Sequence, residues 1–97
     1  MTTLTKTYTR PDLTVDFPVN SSVLRTHLSK VYRGADLLIL SIDSSTSADK
    51  LTMTIVTTFR DAAAMAVYLA DPVVVASFAD IDAFCSANGI AVSRVQA

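Results

Sequence analysis

Two stretches in which Thr takes every second place constrain this chain most. Residues 2–10 read Thr-Thr-Leu-Thr-Lys-Thr-Tyr-Thr-Arg, so Thr3 to Thr9 hold one parity while Leu4, Lys6, Tyr8 and Arg10 hold the other. In residues 51–60, Leu51, Met53, Ile55 and Phe59 share one parity; Thr52, Thr54, Thr58 and Arg60 share the other. A period of two is a strand period, because successive side chains leave opposite faces of the pleat. Thr is at home on a solvated strand face. Such a chain must build a sheet with one apolar and one Thr-rich face.

Pro11 ends the first stretch, because it has no N–H for a ladder. The first stretch is polar even on its larger parity, which suggests an edge strand or a projecting arm. Leu13, Val15 and Phe17 alternate next and predict a short half-buried strand closed by Pro18. Asn20, Ser21 and Ser22 offer an N-cap. Val23, Leu24, His27, Leu28, Val31 and Tyr32 then recur at helical spacing, and Gly34 supplies a stop. Leu37–Ile42 is apolar on both faces at its start, which predicts a central strand. Asp43–Lys50 is turn-rich, so this strand and Leu51–Arg60 form an antiparallel hairpin. Asp61 caps a second helix over Ala62–Ala70. Asp71-Pro72 restarts the chain as a third helix over about Val73–Asn88, since Asp caps well and Pro fits a first turn. Ile90, Val92 and Val95 mark a last strand. The order is β-α-β-β-α-β with a broken second helix, a ferredoxin-like α+β fold with helices on one face of an antiparallel sheet. Residues 1–12 are expected as the arm or edge strand and residues 13–97 as the domain.

A length of 97 residues suits one domain, and 51% apolar residues are enough for a core without cross-links. All nine acids are Asp, and Ser and Thr supply 22 residues, which favours strands, caps and turns. Met1–Lys6 has no apolar core of a secretory signal, and no apolar run approaches the roughly 20 residues of a membrane helix. No membrane partner is expected. A net charge of -1 argues against broad binding to nucleic acid. One cysteine, Cys85, allows no internal disulfide and no cysteine zinc site.

The chemically able residues are few. His27, the one histidine, falls on or beside an apolar helix stripe and is expected as a packed or boundary residue. Cys85 lies late in its helix, where nothing lowers a thiol pKa. Asp80 and Asp82 stand two apart on a helix and so cannot pair on one face. Asp43 and Asp49 bracket a loop without the regular ligand spacing of a calcium site. Arg25, Lys30 and Arg33 read as a solvated face. No nucleophile elbow, phosphate loop or metal cluster is present, so no cofactor and no metal are expected.

The run Leu51–Asp61, the Ala-rich helix after it, Asp71-Pro72 and the longer helix resemble the second half of antibiotic-biosynthesis-monooxygenase-like (ABM-like) domains. That resemblance implies a dimeric α+β barrel with sheets face to face and a substrate cleft between helices and sheet. The absence of Trp removes the haem-degrading version and leaves a cofactor-free one. Thr5–Pro11, Val15-Asp16-Phe17 and Leu51–Ile55 are similar to small, Thr-rich structural proteins of tailed phages, cyanophages especially. The leading expectation is a non-catalytic virion component, repeated in an assembly with itself or other virion proteins. It would be located in the virion and would bind through Thr5, Thr7, Tyr8, Thr9 and Arg10. Such a domain should still fold without residues 1–11. The alternative is a cytoplasmic, cofactor-free ABM-like monooxygenase or small-ligand-binding homodimer, with His27, Tyr32, Met53 and Tyr68 as pocket residues.

Overall fold

The two Thr-alternating stretches pair with each other. The computed structural model describes residues 1–34 and 36–97. Its strands are β1 (Thr2–Thr9), β2 (Ile39–Thr46), β3 (Thr52–Phe59) and β4 (Ala91–Gln96). Its helices are α1 (Ser22–His27), continued by a π-helical turn over Leu28–Tyr32, then α2 (Ala62–Ala70) and α3 (Pro72–Ala87). The sheet order is β2-β3-β1-β4. Every neighbouring pair is antiparallel. This is the ferredoxin-like α+β arrangement that the element order predicts.

The position of β1 is the main correction. It is neither an edge strand nor a free arm, because β3 lies on one side of it and β4 on the other. Lys6 misleads the sequence reading. Its charge makes the strand look too polar for the interior, yet Lys6 is only 5% exposed. A lysine stem is apolar and can lie along a core while its ammonium stands at the end. β2 is likewise an edge strand and not a central one. Only Ile39 of β2 is buried, and Leu40 and Ile42 are exposed. β2 also runs on through Asp43–Thr46, where a loop is expected. Leu13, Val15 and Phe17 form no strand; residues 10–21 are an irregular connection.

The face parity is as the periodicity predicts. Leu4 and Tyr8 of β1, with Ile39 and Phe59, face the helices. Leu24, Leu28, Tyr32, Ala64, Tyr68 and Val74 close the larger core over them. Ile81, Cys85 and Ile90 form a second core against Tyr8. The other face carries Thr3, Thr5, Thr7 and Thr9, flanked by Thr52, Thr54, Val56 and Thr58 of β3 and Ser93 and Val95 of β4. No helix covers it among the described residues.

The helix ends follow local chemistry. Ser21 Oγ accepts from Leu24 N–H at 3.2 Å, and Asp61 Oδ1 accepts from Ala64 N–H at 2.8 Å. One continuous helix is expected over residues 23–33, but its last turn widens, with Arg33 N–H donating to Leu28 O at 3.0 Å. Gly34 permits that ending: a Cβ there would stand 2.7 Å from Lys30 O. No single helix is long and apolar enough to cross a membrane among the described residues.

Removing residues 1–9 takes away the inner strand and its pairing on both sides. The truncated chain is expected to lose cooperative unfolding and amide dispersion, measured by far-ultraviolet circular dichroism and NMR. A free arm would leave both intact.

Candidate functional site

Arg10 shapes a wide cleft beside α3. Its backbone N–H ends the β1 ladder on Leu51 O at 2.9 Å. Its Nε and Nη2 donate to Lys50 O at 2.9 and 2.6 Å. Its Nη1 donates to Val15 O at 2.9 Å, and its guanidinium carbon lies 4.3 Å from the centre of the Phe17 ring. One side chain thus fixes the hairpin after β2 and the connection after β1. Lys50 sits at φ 65°, a left-handed conformation that is uncommon without glycine. The two donors of Arg10 on its carbonyl help to hold that turn.

The fixed connection leans toward α3 and leaves a cleft of about 590 Å3 between them. Phe17, Pro18, Ile81 and Phe84 give it apolar walls; Asp16 and Asp80 stand at its rim, with Ser77 and Arg10 also lining it. Ser77 is buried at the base of this wall. A second hollow of about 510 Å3, lined by Val23, Pro72 and Val73, shares Ser21, Ser77 and Asp80 with the first. The two make one groove along α3. A cleft of several hundred Å3 with apolar walls and few polar groups suits a small organic molecule. The acidic rim favours a neutral or cationic one.

A second polar constellation lies inside the helix layer. Asp71 Oδ2 accepts from His27 Nε2–H at 2.6 Å and from the Tyr32 hydroxyl at 2.7 Å. Its Oδ1 accepts from Val73 N–H at 2.9 Å and so caps α3. Burial opposes ionisation of Asp71, but the bonds from His27, Tyr32 and Val73 outweigh it and hold the carboxyl below its ordinary range. The π-helical turn assists: a wider turn brings residues five apart, His27 and Tyr32, toward one partner. Burial first, then the bond to Asp71, raises the Tyr32 phenol. Tyr32 packs edge-on against Tyr68 with ring centres 5.5 Å apart. Tyr68 is pushed up to about 12, by burial and then by Tyr8.

The structure therefore brings together His27, Tyr32 and Tyr68, three of the four pocket residues taken from the sequence. Tyr32 and Tyr68 are buried in the larger core and do not line the cleft. His27 borders a shallow hollow of about 430 Å3 beside Val23 and Val73. Met53 packs apart from them, against the second core. Of the residues assigned to an arm, Thr5, Thr7 and Thr9 lie on the open sheet face, Tyr8 is buried, and Arg10 is committed to the cleft wall. Phe17, Ile81 and Phe84 were not singled out as site residues, because nothing in spacing joins residue 17 to residue 84. Among the described residues no three His, Cys or acidic side chains converge as metal ligands.

No protein-family model matches the sequence. No curated protein matches it significantly. Among solved structures, the chain is similar to a candidate antibiotic biosynthesis monooxygenase from Deinococcus radiodurans, with a TM-score of 0.62 at 16% identity over 100% of this chain and 90% of that one. At that identity the likeness concerns the fold alone, and it extends over the whole chain. The expectation of a phage virion component is overturned. The whole-chain match lies with an ABM-like structure, and the strand that would serve as an assembly arm is the inner strand of the sheet.

Replacing Tyr32 with Phe removes one charge-assisted bond to Asp71 and should cost about 1.5–3 kcal/mol. Replacing Asp71 with Asn should cost at least as much, and urea denaturation measures both. Because the folded Asp71 carboxyl titrates below the unfolded one, its contribution is complete above roughly pH 4 and falls away as pH drops through the lower folded value. The difference between wild type and Asp71→Asn should shrink over that acid range.

Proposed function

We propose that this chain is an ABM-like small-ligand-binding protein that works as a homodimer, with its open sheet faces together and its ligand in the cleft between α3 and the residue 10–21 connection. The observation that carries the binding half is the cleft itself: about 590 Å3, walled by Phe17, Pro18, Ile81 and Phe84. Its dimensions suit a small, largely apolar organic molecule, and Asp16 and Asp80 suit one with a neutral or positively charged polar end. The whole-chain likeness to a candidate monooxygenase supports the reading and makes O2-dependent oxidation the first reaction to assay.

The dimer half rests on the open face. Asp43 is the one charged residue on it among the described residues; the rest are Thr, Ser, Val and Ala. A face left to water usually carries several long charged side chains, because they are cheap there and guard against association. A flat array of Thr hydroxyls and methyls can pack against another such array with both its polar and apolar parts met.

The cleft is tested by screening small neutral and cationic aromatic compounds by protein-observed NMR. Bound compounds should shift signals of Phe17, Ile81 and Phe84, and Phe84→Trp should fill the cleft and abolish the response. Phe84 is 39% exposed, so this change should leave the fold intact. Binders that ignore Phe84→Trp, or no binders at all, would count against the reading.

A further inference from the structure

The imidazole of His27 has one nitrogen committed to the fold and one to spare. Nε2 bonds to Asp71 Oδ2 at 2.6 Å. Burial opposes ionisation of Asp71, but the bonds from His27, Tyr32 and Val73 outweigh it and hold the carboxyl below its ordinary range. An ionised carboxylate only accepts. In the neutral imidazole the proton therefore stands on Nε2, and Nδ1 keeps its lone pair. The Tyr32 ring meets the imidazole edge-on with centres 5.9 Å apart, which fixes the ring from a second side. One tautomer is thus held in one orientation.

That ring stands at an opening. The His27 side chain is 25% exposed and borders the hollow of about 430 Å3, and no buried atom of the ring is left without a partner. Nδ1 is the nitrogen through which His27 can meet a ligand. Lys30, about one helical turn further on, lines the same hollow, and Val23 and Val73 give it an apolar wall. Both valines also line the 510 Å3 hollow, which joins the cleft through Ser21, Ser77 and Asp80. Along α3 the linked hollows run from Val73 to Phe84, a span of about 16 Å at the helical rise per residue. The groove therefore has an aromatic end at Phe17 and Phe84 and a polar end at His27 and Lys30.

We propose that the His27 end of the groove is a subsite for an uncharged hydroxyl group. The charges there disfavour the other classes. An ammonium would meet Lys30, and a carboxylate would bring its charge against the Nδ1 lone pair. A hydroxyl both donates and accepts. It donates its hydrogen to Nδ1 and accepts from the Lys30 ammonium, while the carbon that bears it lies against Val23 and Val73. Asp71 is a positioning residue: it selects the tautomer and touches no ligand. The inference rests on the groove being the ligand site and adds which polar group the ligand carries. The acidic rim at Asp16 and Asp80 admits neutral and cationic molecules; the His27 end requires a hydroxyl on the part that reaches it.

His27 is the one histidine of the chain, so its ring nitrogens give unambiguous NMR signals. The test uses the whole chain, isotope-labelled, at about pH 8, where an ordinary imidazole is neutral. The free protein should show hydrogen on Nε2 and none on Nδ1. Benzyl alcohol should shift Nδ1 and the methyl signals of Val23 and Val73 saturably. It should bind about threefold to tenfold tighter than benzyl methyl ether, which has the same ring and no donor. His27→Phe keeps a ring and removes its nitrogens, so it should abolish that preference. Lys30→Met, at an exposed position, should weaken both compounds and leave the preference in place. Hydrogen on Nδ1 in the free protein, equal binding of alcohol and ether, binding unchanged in Lys30→Met, or shifts confined to Phe84 would overturn the proposal and leave the groove reading standing. If neither compound moves Val73 or Phe84, both readings fall together.

Discussion

One carboxylate organises the helix layer. Asp71 stands where α2 ends and α3 begins, and it does three things at once: it caps α3, receives the Tyr32 hydroxyl and receives His27. Pro72 follows it and cannot extend α2 through its missing N–H. The two helices therefore meet at 67° rather than running on as one rod. That bend lets α2 set Tyr68 against Phe59 while α3 lays Phe78 and Ile81 over β1. The bond to Tyr32 ties the first helical segment to the same point. Without that tie the groove along α3, which needs both α1 and the preceding connection in place, would lose one wall.

The second constraint is the inner position of β1. Its two parities have opposite tasks. Leu4 and Tyr8 anchor the two cores, while Thr3, Thr5 and Thr7 form the middle of the open face. Lys6 belongs to the first set by position and to neither by chemistry. Its burial opposite Arg94 sets two like charges against each other on one sheet face, eased by the Phe78 ring that both approach.

The fold class was legible because it rests on local signals. Period-two stretches, the Asp caps at residues 61 and 71, Pro72, and Gly89 at φ +68° each announce an element or its end. Strand order was not legible from those signals. Periodicity says which way a side chain points and nothing about how many neighbours a strand has. Composition stood in for that information and misplaced both β1, through Lys6, and β2, through Leu37–Leu40. The site was harder still. His27, Tyr32 and Tyr68 could be picked as the rare polar aromatics of the helices, but their common partner Asp71 was read only as a cap. The cleft depends on Arg10 reaching Lys50 and Val15 and on Phe17 meeting Phe84 across α3. Those are long-range contacts with no spacing rule. The likeness of the Leu51–Gly89 layout to ABM-like domains, in contrast, carried over to the whole chain.

The proposed pairing of two open faces would turn this monomer fold into a barrel, and mass reports it directly. The measurement is native mass by size-exclusion chromatography with light scattering, on the wild type and on Thr7→Lys, which puts a charge at the centre of the open face. The account predicts twice the 10.4 kDa chain mass for the wild type, independent of concentration. It predicts a folded single chain for Thr7→Lys, since two like charges would then meet across the interface. A wild-type protein that stays monomeric at all concentrations, or a Thr7→Lys variant that remains a dimer, would contradict it.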